Sequence, residues 1–136
     1  FLGVYITFKM NRGNRSLWFD EAALAWTFGG RGLSNLTSTG LEVGQSAPVI
    51  YLYIVKFITI IFGNTEFNLR VFSSISYIGS IGLIYMICRK GLAIRFPLGV
   101  SAYVAMIPCF VRYSNVFKPY EFDALCVLLV IFTYYL

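Results

Sequence analysis

Few side chains in this sequence can accept or carry a proton. There is no histidine, so imidazole metal sites and Ser-His-Asp catalysis have no residue to run on. Failing an unusual Lys, Tyr or Cys, a general base must come from six carboxylates: Asp20, Glu21, Glu42, Glu66, Glu121 and Asp123. Asp20 and Glu21 are adjacent and sit between Phe19 and Ala22 in an aromatic and apolar neighbourhood. On a helix, neighbouring side chains diverge by about 100°. One acid can then face a substrate while the other coordinates a cation or caps the local fold. Desolvation beside Trp18 and Phe19 would raise a carboxylate's basicity. The plainer alternative is a helix start with two acids favoured by the macrodipole.

A second constellation is Arg112-Tyr-Ser-Asn-Val-Phe-Lys-Pro-Tyr120, where cations and aromatics alternate ahead of Glu121, Asp123 and an apolar run. Arg112 and Lys118 suit a lipid phosphate, arginine as a two-pronged fork and lysine as a point charge. The same residue types also anchor chains at a membrane boundary without binding anything specific. Pro119 fits the first turn of the following helix. Asp123, three residues into an apolar stretch, is costly unless partnered or facing water. Glu66 and Arg70 are four apart and suit a structural pair at a helix start.

The elements that must position these residues belong to a membrane protein. Apolar side chains make up 58% of the 136 residues and charged ones only 12%, against about 25% charged in a soluble domain. Mean hydropathy is +0.73. Eleven Lys and Arg against six Asp and Glu give +5 without any dense basic run, which argues against a nucleic-acid partner. Cys88, Cys109 and Cys126 lie far apart in apolar stretches and outline neither a disulfide framework nor a zinc knuckle.

Apolar blocks fall at 1–8, 47–62, 71–88, 96–111 and 122–136. The first reads as the last two turns of a span. The sequence starts at Phe1 and stops inside another apolar run, so it is expected to be a fragment whose end segments are longer in the parent protein, and inactive alone. Blocks 71–88, 96–111 and 122–136 are expected spans. Residues 16–26 are the expected helix of the polar stretch between the first two blocks. Block 47–62 is short, opens near Pro48 and contains Lys56, which suits a helix lying at the interface. The loop 89–95 carries three cations and no acid, so it is expected on the cytoplasmic side. The polar stretch 9–46 and the segment 112–118 then share the outer side.

These residues resemble, in order, the start of a glycosyltransferase family 39 protein. The resemblance is carried by Ser16-Leu-Trp-Phe-Asp-Glu-Ala22 and by Gln45-Ser-Ala-Pro48 opening the helix with Lys56. It continues through Phe62-Gly-Asn-Thr-Glu66 with Leu69-Arg70-Val-Phe-Ser73, and through Arg112-Tyr-Ser114 to Lys118-Pro-Tyr120. The family is that of enzymes similar to dolichyl-phosphate-mannose protein mannosyltransferases, in the C superfamily of membrane glycosyltransferases. The resemblance implies an all-α, polytopic enzyme with membrane-parallel helices in its first external loop, in the plasma membrane.

It further implies a polyprenyl-phosphate-linked sugar donor in a lipid environment, with the acceptor unassigned and a divalent metal left open. Asp20 maps to the catalytic carboxylate with Glu21 beside it, and transfer is expected to invert the anomeric centre. The external segment before the Lys-Pro-Tyr run often carries a further acid in that family. Here it reads Ser114-Asn115-Val116-Phe117, so a second acid would have to come from Glu121 or Asp123. Charge grows on the leaving phosphate during transfer, and Arg112, Lys118 and Tyr120, with Arg31 or Lys56 in support, are the expected donor contacts. The alternative is a non-catalytic membrane scaffold or a piece of a transporter, although the paired broken helices of transporters are not visible.

Overall fold

The computed structural model describes residues 5, 9, 16–29 and 47–135. All regular structure among them is helical. The apolar block 1–8, apart from Tyr5, and the polar stretch around Arg31 and Glu42 lie outside the described residues.

Helix α1 runs Phe19–Gly29. Trp18 occupies the position before its first turn, and Glu21, three residues on, reaches back to accept the Trp18 backbone N–H at 3.0 Å. This is the acidic half of a capping box, and it explains why the helix starts here. Helix α2, Val49–Phe62, follows Pro48 and ends at Gly63, whose φ of +90° is a conformation that glycine adopts without a Cβ clash. Asn68 closes the corner: its Nδ2 donates to the carbonyls of Phe62 at 2.9 Å and Gly63 at 2.8 Å.

Helix α3, Glu66–Met86, starts at Thr65, whose hydroxyl accepts the Asn68 N–H at 3.2 Å. It continues into a π-helical turn, Ile87–Gly91, where Leu92 N–H bonds back to Ile87. Glu66–Gly91 is the one helix among the described residues long and apolar enough to cross a membrane. The span expected over 71–88 is thus longer and begins with the capped segment.

The expected span over 96–111 is instead two helices, α4 (Pro97–Ala105) and α5 (Pro108–Tyr113). The cause is Pro108, which has no N–H to continue the ladder and holds Ile107 extended. The break frees the Ala105 carbonyl, and the Tyr77 hydroxyl donates to it at 2.6 Å. Helix α6, Tyr120–Tyr135, returns along α3.

Three contacts fix how α3 and α6 pair. The Ser73 hydroxyl donates to the Lys118 carbonyl at 3.2 Å. A Cβ on Gly79 would lie 3.1 Å from Leu125, and one on Gly91 would lie 2.9 Å from Tyr135. The two helices therefore run parallel, in register from end to end, with the small residues of α3 allowing close approach. The turn 114–119 sits at the start of α3, and the cationic loop 89–95 at the opposite end.

The core lies at that first end. Leu24 of α1, Tyr51, Leu52 and Val55 of α2, Leu69 of α3 and Phe117 are buried together. Tyr51 is its hub, with ring centroids 5.7 Å from Phe72 and 6.1 Å from both Phe117 and Phe122. Tyr51 also meets Ser73 through their hydroxyls at 3.3 Å. Ser73 is about two turns into α3, so the start of α2 packs against the first half of that helix.

Candidate active site

The first fact about the site is how the two adjacent acids part. The Glu21 side chain turns inward and is 1% exposed, whereas Asp20 stays on the surface. Both Glu21 oxygens are engaged. Oε1 accepts Arg70 Nε at 3.1 Å and the Phe117 backbone N–H, while Oε2 accepts an Arg70 Nη at 3.0 Å and the Trp18 N–H. Burial alone would push this carboxyl upward. Hydrogen bonds from Arg70, Phe117 and Trp18, together with the arginine's charge, outweigh it and hold Glu21 below its ordinary value.

Of the roles open to the two adjacent acids, Glu21 is seen in the one that holds the local fold, as an anion in a fork-shaped ion pair. One expected pairing is corrected. Arg70, expected to pair with Glu66, gives its guanidinium to Glu21 across 49 residues of sequence. The available signal was Arg70 itself, the only cation of a helix otherwise free of positive charge until Arg89.

Glu21 ties three segments together: the start of α1, the first turns of α3 and the turn at Phe117. Their junction leaves a cavity of about 270 Å³ lined by Trp18, Asp20, Glu21, Arg112, Tyr113, Val116, Lys118 and Tyr120. Small-molecule sites run from roughly 300 to 1,000 Å³, so this one suits a compact polar group and part of a ring.

Arg112, in the last turn of α5, is exposed and lies 5.5 Å over the Trp18 ring. Lys118 is 8% exposed, and its backbone is fixed by Ser73 and by its own N–H to Val116 at 2.9 Å. Tyr120 opens α6 and packs edge-to-face on Tyr113, with centroids 5.1 Å apart. Asn115 keeps the turn shut by donating to the Val111 carbonyl at 2.8 Å and the Ser114 hydroxyl at 3.0 Å. Asp20, Glu21, Arg112, Lys118 and Tyr120, all singled out from sequence, line one cavity; Trp18, Tyr113 and Val116 complete it.

Other candidates fall elsewhere. Lys56 sits mid-way along α2 and does not line the cavity. Glu121 is buried on α6 and Asp123 is exposed on it, and neither is among the residues that line the cavity. Among the described residues, no group of three or more His, Cys, Asp or Glu is placed to hold a metal.

The family model described as dolichyl-phosphate-mannose-protein mannosyltransferase matches residues 46–136, more than half of the chain. The chain belongs to this mannosyltransferase family. No curated protein and no solved structure matches it. The family's members are membrane glycosyltransferases of the C superfamily, which is the coarse activity that membership gives. The matched mannosyltransferase segment holds Arg112, Lys118 and Tyr120, whereas Asp20 and Glu21 precede it. The Glu21 bonds to Arg70 and Phe117, both inside the matched segment, bind the acidic pair to it.

Proposed function

We propose that the cavity is the donor site of a membrane glycosyltransferase, which moves a sugar from a polyprenyl phosphate to an acceptor hydroxyl or amine on the extracytoplasmic face. The observation that carries this reading is one cavity holding an exposed carboxylate, Asp20, together with two cations, Arg112 and Lys118, from a segment about ninety residues away. Cleaving a glycosyl phosphate builds negative charge on the phosphate, and preplaced cations stabilise that charge. Arg112 and Lys118 are the groups for it, with Tyr120 at the rim. The acceptor loses a proton as it attacks, and Asp20 takes it as general base. A single displacement on this plan inverts the anomeric centre. Glu21 acts as a positioning residue, holding Asp20 and the 112–118 segment at a fixed separation.

The membrane setting follows from α2. Six of its exposed apolar residues, Val49, Ile50, Tyr53, Phe57, Ile60 and Ile61, fall within about 120° of arc at 100° per residue, and Phe62, exposed at the last position of the helix, falls outside that arc. The buried residues Tyr51, Leu52, Val55 and Thr59 occupy the opposite arc. That division suits a helix lying in the bilayer interface with one face on protein and one on lipid. The loop 89–95 then faces the cytoplasm, and α3 and α6 descend from the outer leaflet beside the interrupted α4–α5 segment. The described helices belong to a single multi-pass domain in the plasma membrane.

The test incubates the intact parent protein with candidate polyprenyl-phosphate sugars and follows donor consumption by mass spectrometry. Arg112→Gln should raise the donor KM at least tenfold. A wild-type protein that consumes no such donor rejects the reading in favour of a non-catalytic membrane scaffold, and an Arg112→Gln variant with an unchanged KM rejects Arg112 as a donor contact.

A further inference from the structure

The position of Arg112 carries more than phosphate binding. Its guanidinium lies over the Trp18 ring at 5.5 Å, and both side chains line the cavity beside Asp20. Trp18 is held in place by its backbone, since the N–H is bound to Glu21 and the carbonyl accepts the Ala22 N–H at 2.7 Å. The residue is nonetheless 53% exposed, and its ring stands at the edge of the cavity with Arg112 over it.

An indole face is flat, apolar and electron-rich. It attracts a cation, and it equally suits the C–H-lined face of a pyranose ring. At an exposed site the cation–π attraction is weak. A guanidinium meeting a phosphate instead makes two parallel charge-assisted hydrogen bonds, which are among the strongest polar contacts a side chain forms. A guanidinium stacks through its face and donates through its edge, so a phosphate that meets the edge at another angle turns the face off the ring, and its charge-assisted bonds outweigh the attraction given up.

Resting on the donor-site reading above, we propose that Arg112 covers Trp18 in the unliganded protein and that the donor's phosphate draws it away. The uncovered indole then packs against the donor's sugar ring, next to the base. Phosphate binding and sugar recognition are thereby coupled through one side chain. Binding of a bare prenyl phosphate suffices to expose the platform, and a prenyl-linked sugar gains the additional contact.

The experiment uses the full-length protein in nanodiscs, with the Trp18 signal taken as the difference in emission between wild type and Trp18→Phe. Farnesyl phosphate is titrated while its binding is read separately by native mass spectrometry. The proposal expects a saturable change in Trp18 emission with farnesyl phosphate and none with farnesol. Arg112→Gln should show the shifted emission before any ligand is added. In Trp18→Ala, the preference for farnesyl phosphate mannose over farnesyl phosphate should shrink about threefold to tenfold, the scale of one aromatic packing contact. Farnesyl phosphate that binds without altering Trp18 emission overturns the covering role and leaves the donor site standing. A wild-type protein that binds no farnesyl phosphate overturns the donor site, and this proposal with it.

Discussion

Replacing Glu21 by glutamine keeps the side chain's shape and removes its charge, which makes it a sharp probe of how the site is built. Each carboxylate oxygen accepts two hydrogen bonds, one of them from Arg70. Whichever oxygen becomes the amide nitrogen, a donor then faces two donors, so two hydrogen bonds are lost. Arg70, 2% exposed, keeps a buried charge with its counter-ion gone. Breaking one side of a buried pair in this way costs about 3–5 kcal/mol. Asp20→Asn alters an exposed group, and surface changes of that kind stay within about 0.5 kcal/mol.

The assay is reversible unfolding of the full-length protein in mixed micelles, run alongside sugar transfer. Glu21→Gln should lose several kcal/mol together with activity, while Asp20→Asn should lose activity alone. Glu21→Met combined with Arg70→Met should recover part of the loss, because no charge is then stranded, although the Trp18 and Phe117 N–H groups still lack their acceptor. An inactive Glu21→Gln protein as stable as wild type would make Glu21 a catalytic group and refute the positioning role.

Other predictions follow from the same structure. The depressed carboxyl of Glu21 contributes stability that is complete above its ordinary value near 4.5 and is lost as pH falls through its lower folded value; acid unfolding curves of Glu21→Gln should therefore be flatter below about pH 4.5 than those of wild type. Tyr77→Phe strands the Ala105 carbonyl at the α4–α5 break and should cost about 1–3 kcal/mol in the same unfolding assay. Gly91→Ala forces a methyl against the Tyr135 ring base and should cost about 1–3 kcal/mol, more than Gly79→Ala, whose neighbour is the flexible end of Leu125. In a background without native cysteines, Asn64→Cys and Lys90→Cys should label from opposite sides of the membrane with an impermeant thiol reagent; labelling from the same side would contradict the topology.

Much of the site was legible because it depends on residue type at chain segments that stand out. Two adjacent acids in an aromatic stretch and a cation-rich turn before Pro119 are visible without coordinates, and both line the cavity. The role of Glu21 was not legible, because its partners Arg70 and Phe117 are brought to it only by tertiary packing around Tyr51. Local spacing favoured the Glu66–Arg70 pair for the same reason: an i,i+4 rule sees one helix at a time. The helix break was written in the sequence as Pro108, but hydropathy outvoted it, since the residues on either side are all apolar. The parallel register of α3 and α6 rests on glycines and serines whose packing value appears only once a neighbour is present.

The central claim is that Asp20 is the base of a donor site whose cations come from the 112–118 segment. It is tested most directly by measuring, for Asp20→Asn in the full-length enzyme, both the rate of sugar transfer and the dissociation constant of the polyprenyl-phosphate sugar. Loss of a general base costs about 10²–10⁴-fold in rate. The account predicts a fall of at least a hundredfold in transfer with donor affinity within twofold of wild type. Transfer within a few-fold of wild type would contradict it.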